Sequence, residues 1–459
     1  MRMTPYTAAV PTPRTCRSRR TLAPVLLLLV GACGLLDTES PNTVEPGLLD
    51  NPAGAESRRV GAIADFAFAK DGDGDLDLGR TDGQILLSGL MADEFILSTT
   101  PPTEQEVDQR RMFENNSTVF DMYWYLHRAR AAAENAAAAL RQLSPDPDGT
   151  NEIGEVLSLA GFSYVYLGED FCSGVPFSRL DGDTIAFGGP QTTEEIFNSA
   201  VARFDQALAE PGVVNEETNQ ETLEITYLAT VGKARALLNL GDFAGAAAAV
   251  ATVPTDFVYE SEHADAPLRI QNAIYNYSTG FLWSLSDQEG GVGLPFRTAE
   301  DARVPFEDAE DVGLDGSTEQ FILLKYDQPS TNVPVADGIE ARLIEAEAAL
   351  QAQDLGGMTG ILNTLRSLQG LDPLATPGSF DEGVDQLFSE RAFWLFATGH
   401  RLGDLRRLIR QYGRNQADVF PSGAYHKPAS GSYGTDVNFL LPLEVNNNPN
   451  VHGCLDRNA

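Results

Sequence analysis

Basic residues are scarce in this 459-residue chain. Lysine and arginine together number 32 against 66 aspartates and glutamates, which gives a formal net charge of −34 at pH 7 with histidine neutral. A surface so rich in carboxylates repels phosphate backbones and anionic lipid headgroups. The composition therefore argues against nucleic acid as a partner and against direct contact of the folded body with an anionic membrane surface.

Motifs of catalysis are missing as well. The sequence contains no G-x-S-x-G elbow, no H-E-x-x-H zinc motif, no P-loop and no dinucleotide fingerprint. A glycosidase needs only two carboxylates at a suitable separation, so the abundant acidic residues leave a secreted glycan hydrolase open as an alternative. We predict that the protein is not an enzyme.

Long apolar runs are absent except near the N-terminus, where one extends from Leu22 to Val30. It is about ten residues long, whereas a membrane-spanning helix needs roughly 20. It is preceded by a basic stretch with Arg14, Arg17, Arg19 and Arg20 and followed by Gly31, Ala32 and Cys33, which is the order of an export signal. The small residues before the cysteine look like a bacterial lipobox, in which Cys33 is lipidated and becomes the new N-terminus. The alternative is that Cys33 is a buried structural cysteine.

Removal of the predicted signal peptide, residues 1–32, would change the net charge to −39, because this segment holds five arginines and no acidic residue. Residues 33–52 are rich in glycine, proline, asparagine and acidic residues without periodicity, which predicts a flexible tether. Residues 53–459 are predicted to form a single folded domain. Several acyl chains on one residue would give a lasting membrane anchor.

Cysteine is rare, with four residues in the chain. Cys16 leaves with the signal peptide and Cys33 carries lipid, so Cys172 and Cys454 remain in a compartment that permits disulfides. A bond between them would join the C-terminus to the first half of the chain across a long loop. Two separate free thiols are the alternative.

An acidic stretch between two predicted helices alternates carboxylates with glycine and leucine, at Asp71, Asp73, Asp75 and Asp77. Oxygen ligands on alternate residues are typical of a calcium loop, and Asp82 occupies the twelfth position, where an EF-hand places its closing carboxylate. Leu76 occupies the position at which such a loop needs glycine. A structural calcium ion and a solvated acidic turn therefore both remain open, and no other cofactor is predicted.

A helical repeat is visible when residues 233–243 are aligned with residues 345–355. Ala234 matches Ala346, Leu238 matches Leu350, and Asp242 matches Asp354 at the turn into a second helix. Small residues in paired helices are typical of tetratricopeptide-like hairpins, which bury their apolar faces by stacking. We predict a mostly all-α fold with such hairpins near residues 153–210, 222–252, 337–369 and 382–412.

An irregular, loop-rich insertion interrupts these hairpins between about residues 254 and 335. It is rich in proline, glycine and aromatic residues. Loops on a rigid scaffold often bind ligands, and aromatic rings can stack on sugars or grip peptide side chains. The candidate ligand-binding residues are Tyr275, Tyr277 and Trp283, and the alternative is that these rings form a small satellite core.

The last two predicted helices carry charges at fixed places. Glu390 and Arg391 precede Gly399-His400-Arg401, and Asp404 follows on the same helix face as Arg401, which suggests an ion pair bracing the two helices. Metal ligation by His400 and Asp404 is disfavoured against such a structural role. Four arginines form a basic cluster that we expect at a solvated or partner-facing edge, at Arg406, Arg407, Arg410 and Arg414.

This ending continues into Asn438-Phe-Leu-Leu-Pro-Leu-Glu444 and the asparagine-rich stretch 446–450. Together with the lipidated cysteine and the helical hairpins, it closely resembles the SusD/RagB family of nutrient-uptake outer-membrane lipoproteins. The resemblance implies an anchored protein on the outer face of the outer membrane that binds an oligosaccharide or a peptide. It also implies a TonB-dependent, SusC-like transporter as partner. A tetratricopeptide-type periplasmic scaffold is the main alternative.

Overall fold

The computed structural model describes residues 49–75, 81–147, 150–181, 184–214 and 220–459. Cys33, the predicted signal peptide, most of the predicted tether and Asp77 lie outside these ranges. No helix within the described ranges has the length and apolar character needed to span a lipid bilayer.

Helices dominate the structure, which confirms the predicted fold class. They are α1 (Pro52–Asp71), α2 (Gln84–Met91), α3 (Pro102–Asp108), α4 (Ser117–Leu143), α5 (Glu152–Asp170), α6 (Thr193–Ala209), α7 (Pro211–Val214), α8 (Gln220–Leu240), α9 (Phe243–Val250), α10 (Ala273–Thr279), α11 (Gly338–Gln351), α12 (Leu355–Leu368), α13 (Phe380–Trp394) and α14 (Arg401–Arg410).

The strands are short and form two-stranded antiparallel pairs. β1 (Phe95–Leu97) pairs with β7 (Trp283–Leu285), β2 (Val175–Pro176) with β5 (Pro190–Gln191), and β3 (Arg179–Asp181) with β4 (Thr184–Ala186). β6 (Val258–Ser261) pairs with β10 (Val333–Asp337), and β8 (Phe306–Val312) pairs with β9 (Glu319–Leu323). Three of these pairs involve the predicted insertion, which therefore contains small sheets as well as loops.

The helices stack in sequence into a layered array. α1 packs on α4, α4 on α5, and α5 on both α6 and α8, and the array continues through α9, α11, α12 and α13. Within three of the predicted hairpin ranges, α5 contacts α6, α8 contacts α9, and α11 contacts α12. The fourth differs, because α14 packs mainly against α2 and α5 rather than along α13.

The repeat seen in the sequence has a common geometry at its turns. Asp242 and Asp354 are the N-cap residues of α9 and α12, and their carboxylates accept hydrogen bonds from the amides of Gly245 at 2.9 Å and Gly357 at 2.8 Å. These contacts satisfy amides that have no partner within the helix. Each cap follows a residue with positive φ, which is Gly241 in one copy and Gln353 in the other. The two matched aspartates therefore cap two turns of the same geometry.

Buried ion pairs join α14 to the elements around it. Asp404 accepts from Arg391 on α13 at 2.8 Å and from Arg407 one turn along at 2.8 Å. Arg407 also pairs with Glu347 on α11, and Arg401 pairs with Asp93 after α2. We call these residues the α14 ion-pair network. The predicted bracing of two helices is present, although Arg401 and Asp404 each take partners from other elements.

The charges in this network are mutually compensated. Burial on its own raises the pKa of Asp404, but the charges of Arg391 and Arg407 hold it well below its usual range. Glu169 on α5 forms a second buried pair with Arg235 on α8, with an Nε to Oε1 distance of 3.0 Å. His400 lies 2.9 Å from the guanidinium of Arg235 and 3.2 Å from Glu340. His400 therefore belongs to the buried cluster of Glu169, Arg235 and Glu340 and has a structural role there.

The expectation of a solvated or partner-facing basic edge is wrong for Arg406 and Arg407, which are buried. Arg406 donates to the carbonyls of Gly168 at 3.1 Å and Phe171 at 3.2 Å, at the end of α5. Arg410, which is exposed, and Arg414, whose carboxylate partners are exposed, fit the expectation of a solvated edge. The sequence alone does not show which arginines of such a run donate hydrogen bonds to buried acceptors in the protein.

We predict that Asp404→Ala lowers the free energy of unfolding by about 3–5 kcal/mol, because it leaves Arg391 and Arg407 as uncompensated buried charges. Urea denaturation followed by circular dichroism measures the change. Arg414→Ala, which breaks a surface pair, is the matched control and should cost no more than about 1 kcal/mol. Equal losses in the two variants would contradict a central role for the α14 ion-pair network.

Candidate ligand-binding groove

Two of the three aromatic residues singled out in the insertion lie in the core. The side chains of Tyr277 and Trp283 are 7% and 2% exposed, and their rings meet edge to face with centroids 5.4 Å apart. The Tyr277 hydroxyl donates to Asp82, and the Trp283 indole donates to Glu104 at 3.3 Å. This placement supports the packing alternative for both rings. Tyr275 is half-buried on α10.

The acidic stretch proposed for calcium is engaged with protein groups. Asp71 is fully buried and lies 2.7 Å from the Lys70 ammonium and 3.3 Å from His263. Asp73 accepts from the amide of Asp75 at 3.0 Å and pairs with Arg269. Within the described ranges, no group of three or more histidine, cysteine or acidic side chains is arranged to hold a metal ion. Calcium binding stays a prediction, and Asp77 lies outside the described residues.

Cys172 and Cys454 are joined by a disulfide bond across 282 residues of sequence. Backbone hydrogen bonds flank it, from the amide of Ser173 to the carbonyl of Asp456 at 3.0 Å and from the amide of Leu455 to the carbonyl of Ser173 at 2.7 Å. The disulfide therefore fastens the C-terminal tail beside the segment that follows α5.

An open groove with a volume of about 530 Å³ lies next to this junction. Its lining comes from three parts of the chain: one face of α4, residues 176–178 and 185–187 after Cys172, and residues 444–448 before Cys454. The lining residues are Phe120, Tyr123, Trp124, His127, Arg130, Pro176, Ser178, Ile185, Phe187, Glu444, Val445, Asn447 and Asn448. We call this site the aromatic groove.

The aromatic groove exposes large apolar side chains that a folded chain would ordinarily bury. Trp124 is 46% exposed and Phe187 is 45% exposed, and Ile185 in β4 is exposed as well. The Arg128 guanidinium lies over the Trp124 ring, 5.4 Å from its centroid, and pairs with Asp65. A cluster of exposed apolar groups rimmed by polar residues is typical of a binding site.

Two lining residues carry polar atoms that have no partner among the described residues. These atoms are Nε2 of His127 and Nε of Arg130, and both are buried. Burial, and after it the charge of Arg130, lowers the pKa of His127 well below its usual value, so the imidazole is neutral at pH 7. Unpaired buried polar atoms are costly, and their presence in a groove indicates a place for a hydrogen-bonding ligand.

The walls of the aromatic groove are held together by side-chain hydrogen bonds. Asn448 donates to the carbonyl of Gly188 at 2.8 Å, and Asn450 donates to the carbonyl of Phe187 at 3.1 Å. The asparagine-rich tail thus closes one side of the groove. The helical spacing of Trp124 and His127 on α4 was visible in the sequence, whereas nothing local linked them to the tail.

Comparisons with known proteins identify the fold. No family model matches the sequence, and no curated protein matches it. Among solved structures, the chain resembles surface glycan-binding protein A from Bacteroides thetaiotaomicron, with a TM-score of 0.66, 12% identity, and coverage of 90% of this chain and 100% of that one.

Two other solved structures agree with this likeness. A SusD superfamily protein from Bacteroides thetaiotaomicron matches with a TM-score of 0.65 and 16% identity, over 88% of this chain and 99% of that one. A laminarin-binding SusD-like protein matches with a TM-score of 0.62 and 12% identity, over 88% and 99% of the two chains. These matches confirm, at the level of the fold, the resemblance inferred from the C-terminal motif.

We predict that the double variant Cys172→Ala/Cys454→Ala loses about 2–5 kcal/mol of stability, because its unfolded chain is no longer constrained by a long covalent loop. Urea denaturation of the oxidised protein and of the variant measures the difference. A reducing agent should destabilise the wild type and leave the variant unchanged. A wild type that is equally stable with and without the reducing agent would contradict a stabilising disulfide.

Proposed function

We propose that this chain, which has the SusD fold, is a surface lipoprotein that captures oligosaccharides in the aromatic groove without turning them over. The observation that carries the proposal is the pairing of exposed aromatic rings with unpartnered polar nitrogens in one open groove. The volume of about 530 Å³ lies within the range of ligand sites in proteins.

The chemistry of the groove suits a sugar. The flat C–H face of a pyranose ring packs on an aromatic face such as that of Trp124 or Phe187, and its hydroxyls form hydrogen bonds with neutral donors and acceptors. His127 and Asn447 are of this kind, and both line the groove. An open groove also lets an oligomer extend beyond the residues that grip it. Glycan binding by two proteins of the same fold supports this assignment.

We predict that Trp124→Ala weakens the binding of a neutral oligosaccharide at least tenfold, because the stacking surface is lost; tenfold corresponds to about 1.4 kcal/mol. Isothermal titration calorimetry with laminarihexaose, cellohexaose and mannohexaose measures the affinities. Phe113→Ala removes another exposed ring, one that does not line the groove, and serves as the control. Unchanged affinity in the Trp124 variant, or release of shorter sugars by the wild type, would contradict the proposal.

The same proposal includes a membrane anchor at Cys33 and delivery of the bound glycan to a TonB-dependent, SusC-like transporter. The lipobox-like sequence before Cys33 and the resemblance to SusD/RagB lipoproteins support this part of the proposal. In this arrangement the protein lies on the outer face of the outer membrane.

We predict that a C-terminally tagged chain purified from detergent-solubilised outer membranes brings down a TonB-dependent transporter. Cys33→Ala should move the protein from the membrane fraction to the soluble fraction, because the lipid cannot be attached. Protease added to intact cells should degrade the wild type. Protection of the folded body would place it in the periplasm and favour the scaffold alternative.

A further inference from the structure

The charged groups around the aromatic groove are unevenly distributed. Glu444 lines the groove with an exposed side chain, and Asp121 lies one helical turn before Trp124 on α4. Burial raises the pKa of Asp121, and the negative charge of Glu444 raises it further. The two charges therefore influence each other, and Asp121 is next in sequence to Phe120, which lines the groove together with Glu444.

The cation that lines the groove lies behind its aromatic surface and is paired with a carboxylate. Arg130 is 5% exposed and donates to Glu134 at 2.6 Å and to the carbonyl of Ser178 at 3.3 Å. Glu134 also accepts from Arg203 at 2.8 Å, so this cluster keeps one net positive charge behind the aromatic lining. The guanidinium groups of Arg130 and Arg203 further stack on Tyr164.

The other basic residues near the groove do not neutralise the charges of Asp121 and Glu444. Arg128 is paired with Asp65 at 2.8 Å, and His127 is neutral at pH 7. Arg179 lies in β3 opposite Ala186, whereas the groove-lining Ile185 is opposite Leu180. Side chains alternate between the faces of a strand, so Arg179 projects from the face opposite to that of Ile185. Among the described residues, the exposed lining of the groove therefore carries the carboxylate of Glu444, whereas the lining cation, Arg130, is buried and bonded to Glu134.

We propose that the aromatic groove selects uncharged oligosaccharides and rejects glycans that carry carboxylate or sulfate groups. This inference rests on the proposed capture function and names its substrate class. An acidic sugar stacked on Trp124 would bring its charge close to Asp121 and Glu444 in a partly desolvated site, where like charges repel more strongly than in water. A neutral sugar of the same size does not pay this penalty.

Matched ligands test the proposal. Laminarihexaose, cellohexaose and mannohexaose are each compared with their own C6-oxidised uronate form by titration calorimetry on the full chain. For any neutral hexasaccharide that binds, the uronate form should bind at least tenfold more weakly at low salt. The difference should shrink at high ionic strength, because salt screens charges near the surface.

Two double variants test whether Asp121 and Glu444 cause the difference in affinity between neutral and uronate ligands. Asp121→Asn/Glu444→Gln should reduce the ratio of neutral to uronate affinity at least threefold. Glu300→Gln/Asp372→Asn removes the same charge from exposed positions that do not line the groove, and it should leave the ratio unchanged. An equal reduction in both variants would show that overall charge, and not the groove, sets the ratio, and would overturn the proposal.

Two further outcomes distinguish failure of the selectivity from failure of glycan capture. Uronate forms that bind as tightly as their neutral parents would overturn the selectivity and leave glycan capture standing. Absence of binding by every member of every pair would overturn glycan capture in the aromatic groove, and the selectivity with it.

Discussion

The buried pairing of Asp404 with Arg391 and Arg407 is the interaction on which the arrangement of the helices depends. It joins α13 to α14, and Arg407 extends it to Glu347 on α11. A buried charge that loses its partner is strongly destabilising, whereas a hydrophobic contact tolerates small shifts. These pairs therefore favour one packing of the last helices against the earlier ones. The charged part of the motif that carried the family resemblance is thus structural, whereas its tail at residues 444–448 lines the aromatic groove.

Helix α14 also contacts the chain segment that leads into the aromatic groove. Arg406 donates to backbone carbonyls at the end of α5, immediately before Cys172. From there the disulfide and the hydrogen bonds of Asn448 and Asn450 hold the C-terminal tail beside the 176–187 segment. The groove forms where these two segments meet α4. α14 therefore contacts the segment that leads into the groove through Arg406, although none of the arginines of α14 lines the groove.

Short-range features of the chain were predictable because their causes are local. Apolar periodicity placed the helices, and the match of Asp242 with Asp354 identified two equivalent turns whose caps have the same geometry. Short strands, loops and one short helix occupy the stretch between α9 and α11, where the composition predicts an insertion. The function of its rings was not predictable, since Tyr277 and Trp283 look the same in sequence whether they face a ligand or each other. Burial distinguishes the two cases, and burial is a property of the assembled molecule.

The sequence by itself determined that this chain is acidic, mostly helical and built from repeated hairpins, and its ending pointed to the SusD fold. These properties follow from composition, periodicity and caps, which act over a few residues. Only the tertiary structure decided which arginines are buried and that Trp124, Phe187 and Asn448 share one groove. Those residues are separated by long stretches of chain, and their contacts arise from packing of whole elements, which no local pattern encodes.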